Sequence, residues 1–331
     1  MPESSFWNTP VLRSVVPVVE ASRHVRTDPA EVERVAGWLA WEPLAFPDAG
    51  SPLWPHRDPD RLTDFLLFIN TLNFAFSDFA TGVKFEAERG GRRWSDSDGL
   101  NACVLNAMEA GVPVLDGAWM AQVTVDELEG VFAGSIRMPM LAERAAILNA
   151  VGAVLAGRYE GRWSRWLRAC APAMYAGGDG LLERLVTEFP RFRDVSDYHG
   201  RPVELLKLAQ LALWQLHAAH RATGAFALRD LADMTAFADY IVPVALRLFG
   251  ILVPSEDLAR RIDTGVEIER DSDEEIELRA HSLFATALLT DAVNRRRPPE
   301  SRIVIPQLDW RLWSTYHATG WPHHLTRTIM Y

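Results

Sequence analysis

The segment VELLKLAQLALWQL, Val203 to Leu216, is apolar on nearly every side. A surface helix carries one apolar stripe, whereas a helix that is apolar all round is a buried one. This stretch therefore predicts a helix enclosed by others in a bundle. Lys207 is its only cation. An unpaired buried ammonium is costly, so Lys207 either runs its stem along the helix margin to water or is kept to meet a phosphate or a carboxylate.

The neighbouring periodicities are also helical. In TDPAEVERVAGWLA, Asp28 can cap, Pro29 suits the first helical position, and Val32, Val35, Ala36 and Leu39 recur on one face. Thr124 and Glu127 have the spacing of a capping box, with Val123 placed to staple onto Leu128. Further helices are expected over Thr63–Phe76, Leu100–Ala110, Leu141–Leu155, Gly180–Phe189, Val203–His220, Tyr240–Phe249 and Glu274–Asn294. Strand signals are confined to VKFEAE near Val83 and RIVIP at Arg302–Pro306. The proline-rich run Trp41–Pro59 reads as a long irregular loop able to lie over a pocket. The expected fold class is all-α, with at most a small β-hairpin. No fixed-period repeat or polar linker divides the chain, so one mainly helical domain over residues 1–331 is expected, with two lobes around a cleft as the alternative.

Composition narrows the function. The chain has 331 residues, 48% of them apolar and 24% charged, which suits a globular protein with a substantial core. Its net charge is −10, and the one dense basic run is Arg295–Arg297. Wrapping a nucleic-acid backbone takes many phosphate contacts, so no nucleic-acid polymer is expected as partner; a single small anion in a local positive pocket is compatible. Cys103 and Cys170 are too few for a disulfide framework or a cysteine-based zinc site. The opening residues lack a basic region followed by an apolar core, and no apolar run reaches the roughly 18 to 20 residues of a membrane helix. A cytoplasmic protein without a membrane partner is expected.

Two acids stand out. In MTAFADYIVP, Met234–Pro243, Asp239 sits among apolar and aromatic residues, where a carboxylate loses hydration and must be partnered, turned outward or held for chemistry. It can also cap a helix beginning at Tyr240, with Pro243 in the first turn; a residue at a helix mouth can do both. In PQLDWRLWSTYH, Asp309 lies beside Trp310 and Trp313, a cluster that reads either as core with a capping acid or as a stacking slot whose carboxylate faces a heterocycle. The ending HHLTRTIMY brings His323, His324, Arg327 and Tyr331 into a stretch too rich in aromatic and ionisable groups for a loose tail.

Other patterns carry less. DSDEEIE, Asp271–Glu277, begins like a calcium loop but lacks the Gly at the sixth position, and Ser272 with Glu275 reads better as a capping box. His217 and His220 have metal-ligand spacing without an evident third ligand. No GxGxxG, P-loop, GxSxG or HExxH occurs. No metal or other cofactor is expected.

The chain resembles the queuosine salvage protein family, the queuosine 5′-phosphate N-glycosylase/hydrolases, over nearly its full length. The matching landmarks run in order: TLNFAF at Thr71–Phe76, GRRWS at Gly91–Ser95, EAGVPVLD at Glu109–Asp116, MPMLAERAAILN at Met138–Asn149, FPRFRDV at Phe189–Val195, KLAQ at Lys207–Gln210, FADYIVP at Phe237–Pro243, EIELR at Glu275–Arg279, and the HHLTRTIMY end. The resemblance implies an all-helical fold similar to the helical DNA glycosylases. It implies hydrolysis of the N-glycosidic bond of queuosine 5′-monophosphate, a free nucleotide, to queuine and ribose 5-phosphate. Family site positions fall on Phe237, Asp239, Asp309 and His56. Asp309 is then the catalytic acid and Asp239 the reader of the base, or the reverse. Lys207 and Arg327 are candidates for the 5′-phosphate, and Tyr240 and Tyr331 complete the substrate-binding set. Ser314 stands where the family commonly has an acid. The competing class is a noncatalytic helical protein that binds a modified nucleotide or tRNA; a structural adaptor would require both acids to be mere caps.

Overall fold

The computed structural model describes residues 4–46, 51–55, 58–221, 223–317 and 319–331. His56 lies outside them. The chain is mainly helical, as its periodicity implies, and the strands among the described residues pair in three two-stranded antiparallel sheets. Two compact units emerge: Met1–Pro47 with Asp194–Gln210 and Asp230–Arg327, and Asp48–Arg193 with Leu211–Arg229 and Thr328–Tyr331.

The first unit is built around the helix Asp273–Asn294. Seventeen of its residues are buried, on all sides. Its polar positions tolerate this because short hydroxyls bond back to carbonyls one turn earlier: Ser282 to Leu278, Thr286 to Ser282 and Thr290 to Thr286. The helices Pro10–Ala21 and Pro29–Leu39 pack against it. Asp28 caps the second of these through the amides of Ala30 and Glu31, as its sequence demands. The first was not expected: Pro17 lies inside it and β-branched valines dominate it, both poor helix signals that burial of Val11, Leu12, Val15 and Val18 overrides. Glu277, inside the central helix, gathers the backbone amides of Arg23, His24 and Val25 and the hydroxyl of Tyr198. Ser272 caps as expected, accepting from Glu275 N, but the Glu275 carboxylate takes the Asp271 amide and so does not close the box.

Two expectations in this unit fail. RIVIP is not a strand; Pro306 enters the first turn of the helix Ile305–Tyr316, and the alternating isoleucines Ile303 and Ile305 are buried from coil and helix. The bundle helix starts at Lys207, not Val203, because Arg201–Glu204 pairs with Val195–Tyr198 as a hairpin. Between them Leu206 takes a left-handed φ of 48°, uncommon for a branched residue, with its amide and that of Leu205 bonded to the Asp194 carbonyl.

The second unit packs the helices Pro59–Thr71, Asp96–Glu109 and Leu141–Arg158 with shorter ones. VKFEAE contributes the strand Glu86–Arg89 of a hairpin with Arg92–Ser95. Gly152 lets the Leu141–Arg158 helix approach Gly117–Met120; a Cβ there would stand 2.3 Å from the Ala121 nitrogen. Thr124 and Glu127 form their capping box. The His217 and His220 pair is structural: His217 Nδ1 accepts from Leu228 N, and His220 Nε2 meets the Thr63 hydroxyl at 2.9 Å. Cys103 is buried and Cys170 half-buried, and burial pushes both thiols up to about 12.

Candidate active site

The run Met234–Ala238 is buried along its whole length and leads into the helix Val242–Leu248. The first amides of a helix have no partner within it. Asp239 supplies one: its Oδ1 accepts from Ile241 N at 2.9 Å and Val242 N at 3.0 Å. Asp239 is not the cap of a helix beginning at Tyr240: the helix begins at Val242 with Ile241 as its cap residue, and Asp239 takes these amides from two residues before the cap. Asp309, on the helix Ile305–Tyr316, reaches the same turn from the other side; its Oδ2 accepts from Phe237 N at 2.9 Å. Asp239 N in turn donates to Phe237 O at 2.6 Å. Each carboxylate is thus fixed to this turn by one oxygen. Among the described residues, neither the Oδ2 of Asp239 nor the Oδ1 of Asp309 accepts a hydrogen bond.

Both acids are deeply buried, Asp239 at 6% exposure and Asp309 at 3%. Burial raises the Asp309 carboxyl well above the ordinary carboxylate value; the Asp239 charge adds to this, while the Phe237 amide and the Lys207 ammonium oppose it. Burial also raises Asp239, against the Lys207 charge, the amides of Val242 and Ile241, and His323. The upward shift is the larger at Asp309. Lys207 is buried at the start of its helix, so the snorkelling alternative is set aside. Its charge acts on both carboxylates.

Phe237 is buried beside this turn, and Tyr240 is half-buried with its ring 4.5 Å from that of His323. His323 Nδ1 donates to the His324 carbonyl at 2.9 Å, and burial pushes His324 down to about 3, keeping it neutral. His323 had no role in the sequence reading; its doublet with His324 was the only signal. Of the two readings of the Trp310 and Trp313 cluster, a core with a capping acid and a stacking slot around Asp309, neither describes it. Those rings stack on each other, and Trp310 is exposed. Arg327 is exposed, 3.9 Å from Glu267. Tyr331 belongs to the second unit, where it is buried. No group of three metal-ligating side chains occurs among the described residues, and no helix there is long and apolar enough to cross a membrane. A surface cleft of about 890 Å³ lined by Trp41, Arg297 and Arg302 contains neither carboxylate.

Two dehydrated carboxyls share this turn, each bonded to it through one oxygen, with the Lys207 charge acting on both. One acid can accept N–H donors of a ring while the other faces a sugar carbon that becomes positive. The chain belongs to the queuosine salvage protein family, whose profile matches residues 53–331. It is 33% identical over 324 residues to the queuosine 5′-phosphate N-glycosylase/hydrolase of Sphaerobacter thermophilus, covering 97% of each chain. It is 26% identical to the protein of the same name from Bos taurus, over 95% of this chain and 96% of that one. Identity to the Schizosaccharomyces pombe protein is 30%, over 80% of this chain and 78% of its relative.

Proposed function

We propose that this chain hydrolyses the N-glycosidic bond of queuosine 5′-monophosphate, releasing queuine and ribose 5-phosphate, in the cytoplasm and on the free nucleotide. Membership of the family and the names of its relatives support the reaction. The observation that carries the mechanism is that Asp239 and Asp309 are held by one oxygen each on the turn Phe237–Val242. The net charge of −10 favours a nucleotide over a nucleic-acid polymer.

Queuine is a 7-deazaguanine, so its Watson–Crick edge presents N–H donors. Asp239, with its Oδ1 spent on backbone amides, turns its Oδ2 to that edge, and Phe237 stacks on the ring. Burial, with the Asp239 charge adding to it, raises the proton affinity of Asp309, which suits it to give a proton to the departing base, at a ring atom other than position 7, which is carbon, as the bond to C1′ breaks. The Asp309 carboxylate so formed faces the positive charge at C1′ and takes a proton from the attacking water while the hydroxyl joins C1′. Lys207 balances the negative charge of the pair, a role its influence on both carboxylates supports in preference to the phosphate contact expected from sequence. Arg327 stays the candidate for the 5′-phosphate. The purified protein is to be incubated with the monophosphate, the nucleoside and queuosine-containing tRNA, with free queuine measured by chromatography. Release from the monophosphate is expected. Tight binding without release would establish the noncatalytic alternative.

A further inference from the structure

Arg279 lies on the central helix of the first unit and is 2% exposed. Its guanidinium touches three segments. Nε donates to the Ala238 carbonyl at 3.0 Å; Nη1 donates to Asp194 Oδ1 at 3.1 Å and lies 3.5 Å from Glu275 Oε1; Nη2 donates to Asp194 Oδ2. Asp194 passes the connection on. Its Oδ2 accepts from Lys207 N at 3.4 Å, and its carbonyl accepts from Leu205 N at 3.0 Å and Leu206 N at 3.1 Å. The carbonyl that Arg279 holds belongs to the peptide leading into Asp239. The amides that Asp194 holds belong to the left-handed step leading into Lys207.

The plain alternative is a core ion pair with no bearing on the site. A pair of opposite charges needs only one point of contact each, however, and a buried pair is poor value for stability against an apolar replacement. This guanidinium uses a third, separately directed N–H for a carbonyl, which a lysine cannot reproduce while keeping a forked bond to a carboxylate. We infer that Arg279, braced by Asp194, is the positioning residue of the site: it sets the backbone under Asp239 and, through Asp194, the start of the Lys207 helix, fixing the carboxylate and the cation relative to each other. This rests on the reading of Asp239 as a working carboxylate.

Arg279→Lys keeps the charge and loses the fork. The expected result is a fall in kcat/KM of about 10- to 100-fold, the scale of a small misplacement of a positioned group. In an Asp239→Asn background the same substitution is expected to cost less than about threefold, because the group it positions is already disabled. Equal factors in the two backgrounds, or near-normal kcat/KM for Arg279→Lys, would overturn the positioning role and leave a core ion pair. Near-normal turnover of Asp239→Asn alone would sink the reading of the site itself, a separable failure. If Arg279→Lys does not fold, Asp194→Asn, which loosens the guanidinium without removing it, enters the same cycle. The expected loss is again in kcat/KM and absent beside Asp239→Asn, and additivity overturns the inference.

Discussion

Two groups of buried charge lie in the unit around Asp273–Asn294, and they follow opposite rules. At Asp194, Arg279 and Glu275 opposite charges meet directly, and both oxygens of the Asp194 carboxylate are satisfied by the guanidinium. At Asp239 and Asp309 like charges are brought together, one oxygen of each is used, and the proton affinity of both is raised. The dehydration is similar in the two places. The first group answers it with a partner of opposite sign, whereas the second sets like charges together. Raised proton affinity of this kind clusters at functional sites.

The comparison can be broken most sharply at its paired end. Asp194→Ala strands a buried guanidinium, and a loss of about 3–5 kcal/mol in unfolding free energy is expected, measured by denaturant titration; a loss below about 1 kcal/mol would erase the contrast. At the other end, Asp239→Asn and Asp309→Asn should each lower turnover by at least about 100-fold while leaving the thermal midpoint of Asp309→Asn unchanged, since a neutral amide of the same shape replaces a carboxyl whose proton affinity burial has raised. A variant that unfolds early and keeps its activity would reverse the assignment. Lys207→Met should lower kcat/KM by roughly 10- to 100-fold for monophosphate and nucleoside alike. A loss confined to the monophosphate would move Lys207 to the phosphate.

The smallest effect is a pH slope. The folded value of Asp309 is raised above its unfolded value of about 3.9, so between the two the native state binds the additional proton. Its contribution to stability is therefore full below the unfolded value and is lost as pH rises through the folded one. Thermal melts of the parent protein should fall along this window, and those of Asp309→Asn should fall less; parallel profiles would place the proton elsewhere.

Several of these features could be read without coordinates. Asp28, Thr124 and Ser272 announce helix starts because capping is a local matter of three or four residues. Asp239 and Asp309 stand out as lone charges in apolar runs, and both proved buried. Their shared turn was not legible, since 70 residues separate them and the Trp310 and Trp313 rings pointed to a different surrounding. The Asp194 and Arg279 pair escaped for the same reason, 85 residues apart and each unremarkable in its own segment. The helix Pro10–Ala21 escaped because its propensity is poor and its stability comes from what it packs against.

That helix, with the residues following it, has a bearing on how the protein can be cut. The match to the family profile begins at residue 53, yet Glu277 draws the amides of Arg23, His24 and Val25 to the helix that carries Arg279, and Val25–Thr27 is the strand partner of Leu252–Pro254. A protein trimmed to the matched region would leave the Glu277 carboxylate without those donors and expose the helix it sits in. Limited proteolysis between the first two helices, or expression from residue 53 onward, is accordingly expected to give insoluble or rapidly degraded material, because residue 53 falls inside a folding unit.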